Sequence, residues 1–141
     1  MLLGEYEYKV DNKARLPIPP KFRPEFKDGL VLTRGQEPCI VIYKKEDFEK
    51  VAANYRQERF VPSRERRLNR FQFGHAFDQE MDNQGRISLP PSLKSFAQIT
   101  DTAVIVGANN CIELWNPDKW NAEEGEAEEQ VWQIIESQER K

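Results

Sequence analysis

A nine-residue pattern, Asp-x-x-x-Arg-x-x-x-Pro, occurs twice in this chain: as DNKARLPIP from Asp11 to Pro19 and, 71 residues later, as DNQGRISLP from Asp82 to Pro90. The agreement continues past these anchors, with Pro20 matching Pro91 and Phe22 matching Leu93 at the same offset. After one residue of slippage Gly35 matches Gly107, Cys39 matches Cys111, Tyr43 matches Trp115 and Phe48 matches Trp120. Two copies are too few for a solenoid, in which neighbouring repeats cover one another, so the duplication predicts an intramolecular pseudo-dimer. Units of roughly 70 residues have marginal cores by themselves, so the two copies are expected to share one.

Within each copy the local pattern is that of strands. Tyr6, Tyr8 and Val10 alternate with Glu5, Glu7 and Lys9, the period of a half-buried strand, and Leu16 and Ile18 resume it after Asp11-Asn12-Lys13-Ala14. Asp and Asn side chains bond to nearby backbone groups and tolerate unusual dihedrals, so that intervening segment reads as a turn. In the second copy Phe77, Gln79 and Met81 lead into Asp82-Asn83-Gln84-Gly85, and Ile87 and Leu89 lead out. Each motif is therefore expected at the tip of a β-hairpin, with Gly85 supplying backbone freedom. Pro19-Pro20 and Pro90-Pro91 end these strands, because proline cannot donate to a ladder, and favour short helices beginning there. Pro24 limits the first of these to a turn or two.

Further strands are expected at Leu30 to Thr33, Ile40 to Tyr43, Ala103 to Val106 and Ile112 to Trp115. Phe48, Val51, Ala52 and Tyr55 fall at helical spacing, and a second helix should follow the Pro62-Ser63 break through Leu68 and Phe71. At the C-terminus Asn121 with Glu124 has the spacing of a capping box, and Ala127, Val131, Ile134 and Ile135 form one apolar stripe. That stripe is expected to pack on its own domain, or otherwise on a neighbouring subunit. These elements predict a mixed α+β protein divided as residues 1–72 with the connecting helices, residues 73–120, and an acidic C-terminal helix over residues 121–141.

Net charge is −3, but its distribution is uneven. Residues 1–75 hold 16 Lys and Arg against 11 Asp and Glu, whereas residues 76–141 hold 5 against 13. The overall sign is thus a poor guide to the field around the motifs. No apolar run approaches the roughly 18 residues of a membrane span, and the N-terminus MLLGEYEYKV does not read as an export signal, so a cytoplasmic protein is expected. Cys39 and Cys111 lie in apolar strand-like runs without metal-ligand spacing and read as buried core thiols, while His75 reads as structural or superficial. Asp11 and Asp82 as a catalytic carboxylate pair would make an enzyme. The single histidine and the lack of a nucleophile set, a phosphate-cradling glycine loop or a metal cluster argue against one. No cofactor, metal, small-molecule substrate or membrane is expected.

The paired D-x-x-x-R motifs, GEY at Gly4 to Tyr6, LPIPPKFR from Leu16 to Arg23, TRG at Thr33 to Gly35 and IELW at Ile112 to Trp115 together closely resemble the MraZ family, over roughly residues 1–120. The resemblance implies an AbrB-like fold: a pseudo-twofold β-barrel of interlocked swapped-hairpin halves, flanked by helices, with both halves supplied by one chain. It further implies a nucleoid-associated transcriptional regulator that binds short direct repeats in double-stranded DNA upstream of the division and cell-wall gene cluster. Assembly into a ring-shaped homo-oligomer is also implied. Ala14 departs from the glycine frequent in the family's first motif, which leaves a stiffer first tip, and the acidic tail beyond Asn121 is less typical of the family.

Arg15 and Arg86 follow the turns, where a guanidinium can grip guanine bidentately or clamp a phosphate, or can instead be structural. Lys13 suits a phosphate contact, and Gln84 in the equivalent place offers hydrogen bonds without charge. Asn12 and Asn83 can contact DNA or hold the turn. Asp11 and Asp82, repelled by phosphate, are assigned to pairing with the arginine four residues on. On these grounds the first copy carries more of the DNA contact, and Arg15 matters more than Arg86. The Arg64, Arg66, Arg67 and Arg70 run reads equally well as a solvated helix face and is left outside the site. A protein-binding ring using the acidic C-terminal helix is the alternative function.

Overall fold

The computed structural model describes residues 1–55, 60 and 62–139. The chain runs β1 (Glu5–Lys9), β2 (Arg15–Pro17), a 3-10 helix (Pro20–Phe26), β3 (Leu30–Arg34), β4 (Ile40–Lys44), α1 (Lys45–Ala52) and α2 (Ser63–Phe73). The second half follows as β5 (Phe77–Gln79), β6 (Arg86–Ser88), α3 (Pro91–Phe96), β7 (Thr102–Gly107), β8 (Cys111–Trp115) and α4 (Pro117–Glu139). The two copies differ where proline intervenes. Pro24 has no N–H to give to an α-helical ladder, and the segment from Pro20 winds as a 3-10 helix; its counterpart from Pro91 lacks an internal proline and is α-helical.

The strands form one six-stranded antiparallel sheet, in the order β1-β7-β8-β4-β3-β5, and a separate two-stranded ribbon, β2-β6. Read from either end, the six-stranded order is the same once the copies are exchanged. β3 and β4 form a hairpin within the first copy and β7 and β8 one within the second. Every other pairing crosses between copies: β1 with β7, β5 with β3, β4 with β8, and β2 with β6.

This corrects the expectation of two simple hairpins. The turns do close, with Asp11 N–H donating to Arg15 O (3.0 Å) and Asp82 N–H to Arg86 O (2.9 Å). The arms then part, because β1 and β5 are taken up by the other copy's sheet while β2 and β6 pair with each other. Alternation along a strand says which face is buried but not which strand lies alongside.

Leu16 and Ile87 sit opposite one another in the ribbon and point inward at 0% and 1% exposure. They join a single core that takes Leu2, Phe22, Phe26 and Leu32 from the first copy and Leu93, Ile105, Ile112 and Leu114 from the second. Cys39 and Cys111 lie in a smaller cluster with Val41, Val104 and Trp115 and are free thiols. Burial pushes the Cys111 thiol up to about 11, and the same cause raises Cys39.

α2 is fastened to β3 by a buried exchange, in which Gln72 Nε2 donates to Thr33 Oγ1 (2.8 Å) and Thr33 Oγ1 donates to Gln72 O (3.0 Å). The Arg34 guanidinium lies 4.9 Å from the ring centroids of both Phe71 and Phe96, tying α2 to α3. His75, just beyond α2, is half-buried.

Two expectations for the C-terminal helix are corrected. It starts at Pro117 rather than after Asn121, and the capping side chain is Asn116, whose Oδ1 accepts from the N–H groups of Asp118 (2.8 Å) and Lys119 (3.1 Å). Proline suits the first helical position because its missing N–H would be unpaired there anyway, and Asn121 falls within the helix. Nor does the apolar stripe pack on its own domain. The helix lies on β7 near its start, where Trp120 Nε1 donates to Glu5 Oε1 (3.1 Å), but residues 128–139 are all exposed. Among the described residues no helix is long and apolar enough to cross a membrane.

Candidate nucleic-acid interface

Each Asp-x-x-x-Arg motif folds on its aspartate. Asp11 Oδ1 accepts from the N–H groups of Lys13 and Arg15, both at 2.9 Å, and Oδ2 accepts from Arg15 Nε at 2.8 Å. Asp82 repeats the set with the N–H groups of Gln84 and Arg86 at 2.9 Å and with Arg86 Nε at 2.8 Å. Ala14 N–H donates to Asp11 O and Gly85 N–H to Asp82 O, which closes an i to i+3 turn ending on a left-handed residue, as in three-residue hairpin loops. Four residues is the reach at which one carboxylate can hold both the backbone and the side chain of the same arginine.

These bonds hold both aspartates below the ordinary carboxylate value of 3.8; the backbone N–H of the arginine is the largest cause in each turn. A group whose folded value is depressed adds stability above its unfolded value and loses it as pH falls through the folded one. Stability should accordingly fall as pH is lowered from about 5 to 3. A variant carrying Asp11→Asn and Asp82→Asn should show a shallower acid limb in denaturant midpoints taken across that range, and superimposable limbs would refute this account.

The left-handed residue is where the copies diverge. Gly85 adopts φ +75° without penalty, whereas Ala14 sits at φ 58°, a region that costs an L-residue about 1 kcal/mol or more. A Cβ on Gly85 would collide with Arg23 Nε, which donates to Ile18 O at 2.8 Å. Gly85→Ala should therefore destabilise by about 1–3 kcal/mol, combining backbone strain with displacement of that bond, while Ala14→Gly should gain up to about 1 kcal/mol. Equal and opposite midpoint shifts in urea would contradict this ordering.

The ribbon sets where the arginines stand. Arg15 lies opposite Ser88 and Pro17 opposite Arg86, with Leu16 and Ile87 between them facing the core. Side chains alternate across a strand, so Arg15 and Arg86 share the ribbon's outer face. Bonds from Ile18 N–H to Gly85 O and from Leu89 N–H to Ala14 O, both 2.8 Å, extend the ribbon to the left-handed residues of both turns. Arg86 Nη1 also lies 3.9 Å from Asp11 Oδ2, so the two motifs meet at one ion-pair cluster. Each arginine gives its Nε to its own aspartate, and among the described residues the terminal nitrogens make no hydrogen bond, so they are the donors left for a ligand.

Asn12, Lys13, Asn83 and Gln84 are exposed at the two tips. Lys13 is the cation that the second tip lacks. Sequence reasoning missed Arg23, which lies against Gly85 and adds a cation beside the second motif. No local pattern marks it, because its neighbour is 62 residues away. Among the described residues no group of His, Cys, Asp or Glu could hold a metal ion.

Comparison with known families and proteins agrees with the internal duplication. The family profile described as "MraZ protein, putative antitoxin-like" matches twice, over residues 1–71 and 72–138. A protein of Dehalococcoides mccartyi named transcriptional regulator MraZ is 44% identical over 138 residues, covering 97% of each chain. Proteins of the same name from Herpetosiphon aurantiacus and Lactobacillus johnsonii are 42% identical over 120 residues and 38% identical over 136. The first alignment covers 85% of this chain and 84% of the relative, and the second 96% and 95%.

Proposed function

The chain belongs to the MraZ family, and from that premise we propose that it is a transcriptional regulator that binds double-stranded DNA through the outer face of the β2-β6 ribbon. The observation that carries this reading is the placement of Arg15 and Arg86 on that face, each aimed by a carboxylate that bonds its Nε. A B-DNA major groove about 12 Å wide admits a two-stranded ribbon, and arginine can grip the O6 and N7 of guanine there. Lys13, with Asn12 and Gln84, completes the contact surface; Asp11, Asp82 and Gly85 shape it. In this reading the cross-copy pairings are those of interlocked AbrB-like swapped-hairpin halves closing a barrel. The protein works in the cytoplasm at the nucleoid.

The target is a set of short direct repeats upstream of the division and cell-wall gene cluster, read by a ring of identical chains. One ribbon makes few contacts, and linking weak modules at the spacing of the repeats multiplies their affinity.

Fluorescence anisotropy on a duplex from that upstream region, beside a scrambled duplex, tests the proposal. Specific binding should weaken steeply between about 50 and 200 mM salt as phosphate contacts are screened. Equal affinity for the scrambled duplex at every salt concentration would sink the regulatory reading.

A further inference from the structure

The exposed part of α4 carries an ordered face. Glu124, Glu128, Val131 and Ile135 recur at spacings of four, three and four, so they line one side of the helix, acidic toward its start and apolar toward its end. Trp132 beside them is 66% exposed. An apolar stripe of this size standing clear of the body marks an interaction surface.

α2 carries a face of matching layout and opposite charge. Arg64, Arg67, Leu68 and Phe71 recur at spacings of three, one and three and are all exposed, whereas Glu65, Asn69, Gln72 and Phe73 turn toward the body. The buried Thr33–Gln72 exchange and the Arg34 stack hold α2 firmly, so this face is presented on a rigid support.

We infer that the acidic–apolar face of α4 in one copy of this chain docks on the basic–apolar face of α2 in a second copy. Charge complementarity selects this occupant. Two α4 helices packed through this face would bring carboxylates together, since Glu123, Glu124, Glu126, Glu128, Glu129, Glu136 and Glu139 are offset by no Lys or Arg within residues 120–139.

Exposed ion pairs add little affinity, so apolar burial of Val131 and Ile135 against Leu68 and Phe71 supplies most of the attraction. The charges choose the partner and the alignment. Since α4 and α2 are different surfaces, the contact is head-to-tail, and repetition closes a ring when the rotation between neighbours allows. This inference rests on the self-association reading above and assigns the surfaces responsible for it.

Sedimentation velocity on the full chain across a concentration series tests it. Three proteins are compared: the unaltered chain, one with Glu124→Lys and Glu128→Lys, and one with Arg64→Glu and Arg67→Glu. All the altered positions are exposed, and unchanged thermal melts by circular dichroism would verify folding. The unaltered chain should sediment as a multimer and each variant alone as a single chain. An equimolar mixture of the two variants should regain the multimer, because each reversed face then meets its complement.

A multimer that persists in both variants would overturn the interface and leave self-association standing. A single chain at every concentration of the unaltered protein would overturn both. Stronger association after the Glu124→Lys and Glu128→Lys changes would identify α4–α4 contact instead. If the Arg64→Glu and Arg67→Glu chain loses affinity for a scrambled duplex but keeps its mass, DNA rather than a second copy occupies α2, and the inference fails.

Discussion

Arg15→Ala and Arg86→Ala should each weaken specific DNA binding by roughly tenfold to a hundredfold, the range for losing a good arginine contact to a base. The sequence ranks Arg15 first, because its copy also carries Lys13. The geometry narrows that gap. Among the described residues Asp11 faces two guanidinium groups, Arg15 at 2.8 Å and Arg86 at 3.9 Å, whereas Asp82 has Arg86 alone at 2.8 Å. Removing Arg15 leaves Asp11 a partner. Removing Arg86 leaves Asp82 with none of these pairs and takes the second from Asp11, so uncompensated negative charge is added on the face proposed to meet DNA.

The losses should therefore be similar in size but different in origin, and a second substitution separates them. Asp82→Asn placed on Arg86→Ala should recover several-fold in affinity, because it removes the unmasked charge. Asp11→Asn placed on Arg15→Ala should recover less. Lys13→Ala, by contrast, should weaken specific and scrambled duplexes alike and lower the slope of log affinity against log salt by about one. Anisotropy titrations at several salt concentrations read all of these. If neither arginine variant changes affinity, the ribbon face is not the binding surface.

Much of the Asp–Arg turn was legible because its chemistry is local. An Asp four residues before an Arg, across a turn, can reach both the backbone and the side chain of that Arg, and the bonds found at Asp11 and Asp82 lie within five residues. What sequence could not supply was distant in the chain. The ion pair from Arg86 to Asp11 and the approach of Arg23 to Gly85 depend on two copies meeting, and pairing partners leave no periodic trace in either strand.

The α4 start shows a different failure. Two asparagines compete for the cap, and Asn121 with Glu124 fits the capping-box spacing, yet Asn116 wins because Pro117 behind it has a preset φ and no N–H to satisfy. The stripe on α4 was recognisable as apolar. Amphipathicity states that a face wants cover without saying whose.

Leu16→Ala should cost about 2–5 kcal/mol, and that loss should register equally in the half of the chain that does not contain residue 16. Leu16 is fully buried and lies against Ile87 at the centre of the cross-copy ribbon, so its removal leaves a cavity bounded by both copies. Of the three tryptophans, Trp115 and Trp120 belong to the second copy, with Trp115 buried, while Trp132 stands exposed on α4 and responds little to unfolding of the core. Tryptophan fluorescence therefore reports the second copy, while far-ultraviolet circular dichroism reports the whole.

If the copies were independent beads, Leu16→Ala would leave the tryptophan-detected midpoint in urea where it was. Interlocking dictates the opposite. β1 completes the edge of the second copy's hairpin, β5 that of the first, and β4 and β8 join the two at the centre, so neither hairpin keeps its neighbours when the other copy unfolds. The two probes should trace one coincident transition in the parent protein and in the variant, displaced by the same amount in both. Noncoincident curves would mean that the shared core does not bind the halves into one cooperative unit. The same coupling explains how two dissimilar tips can be held in fixed register, since a ribbon built from one strand of each copy exists only while both are folded.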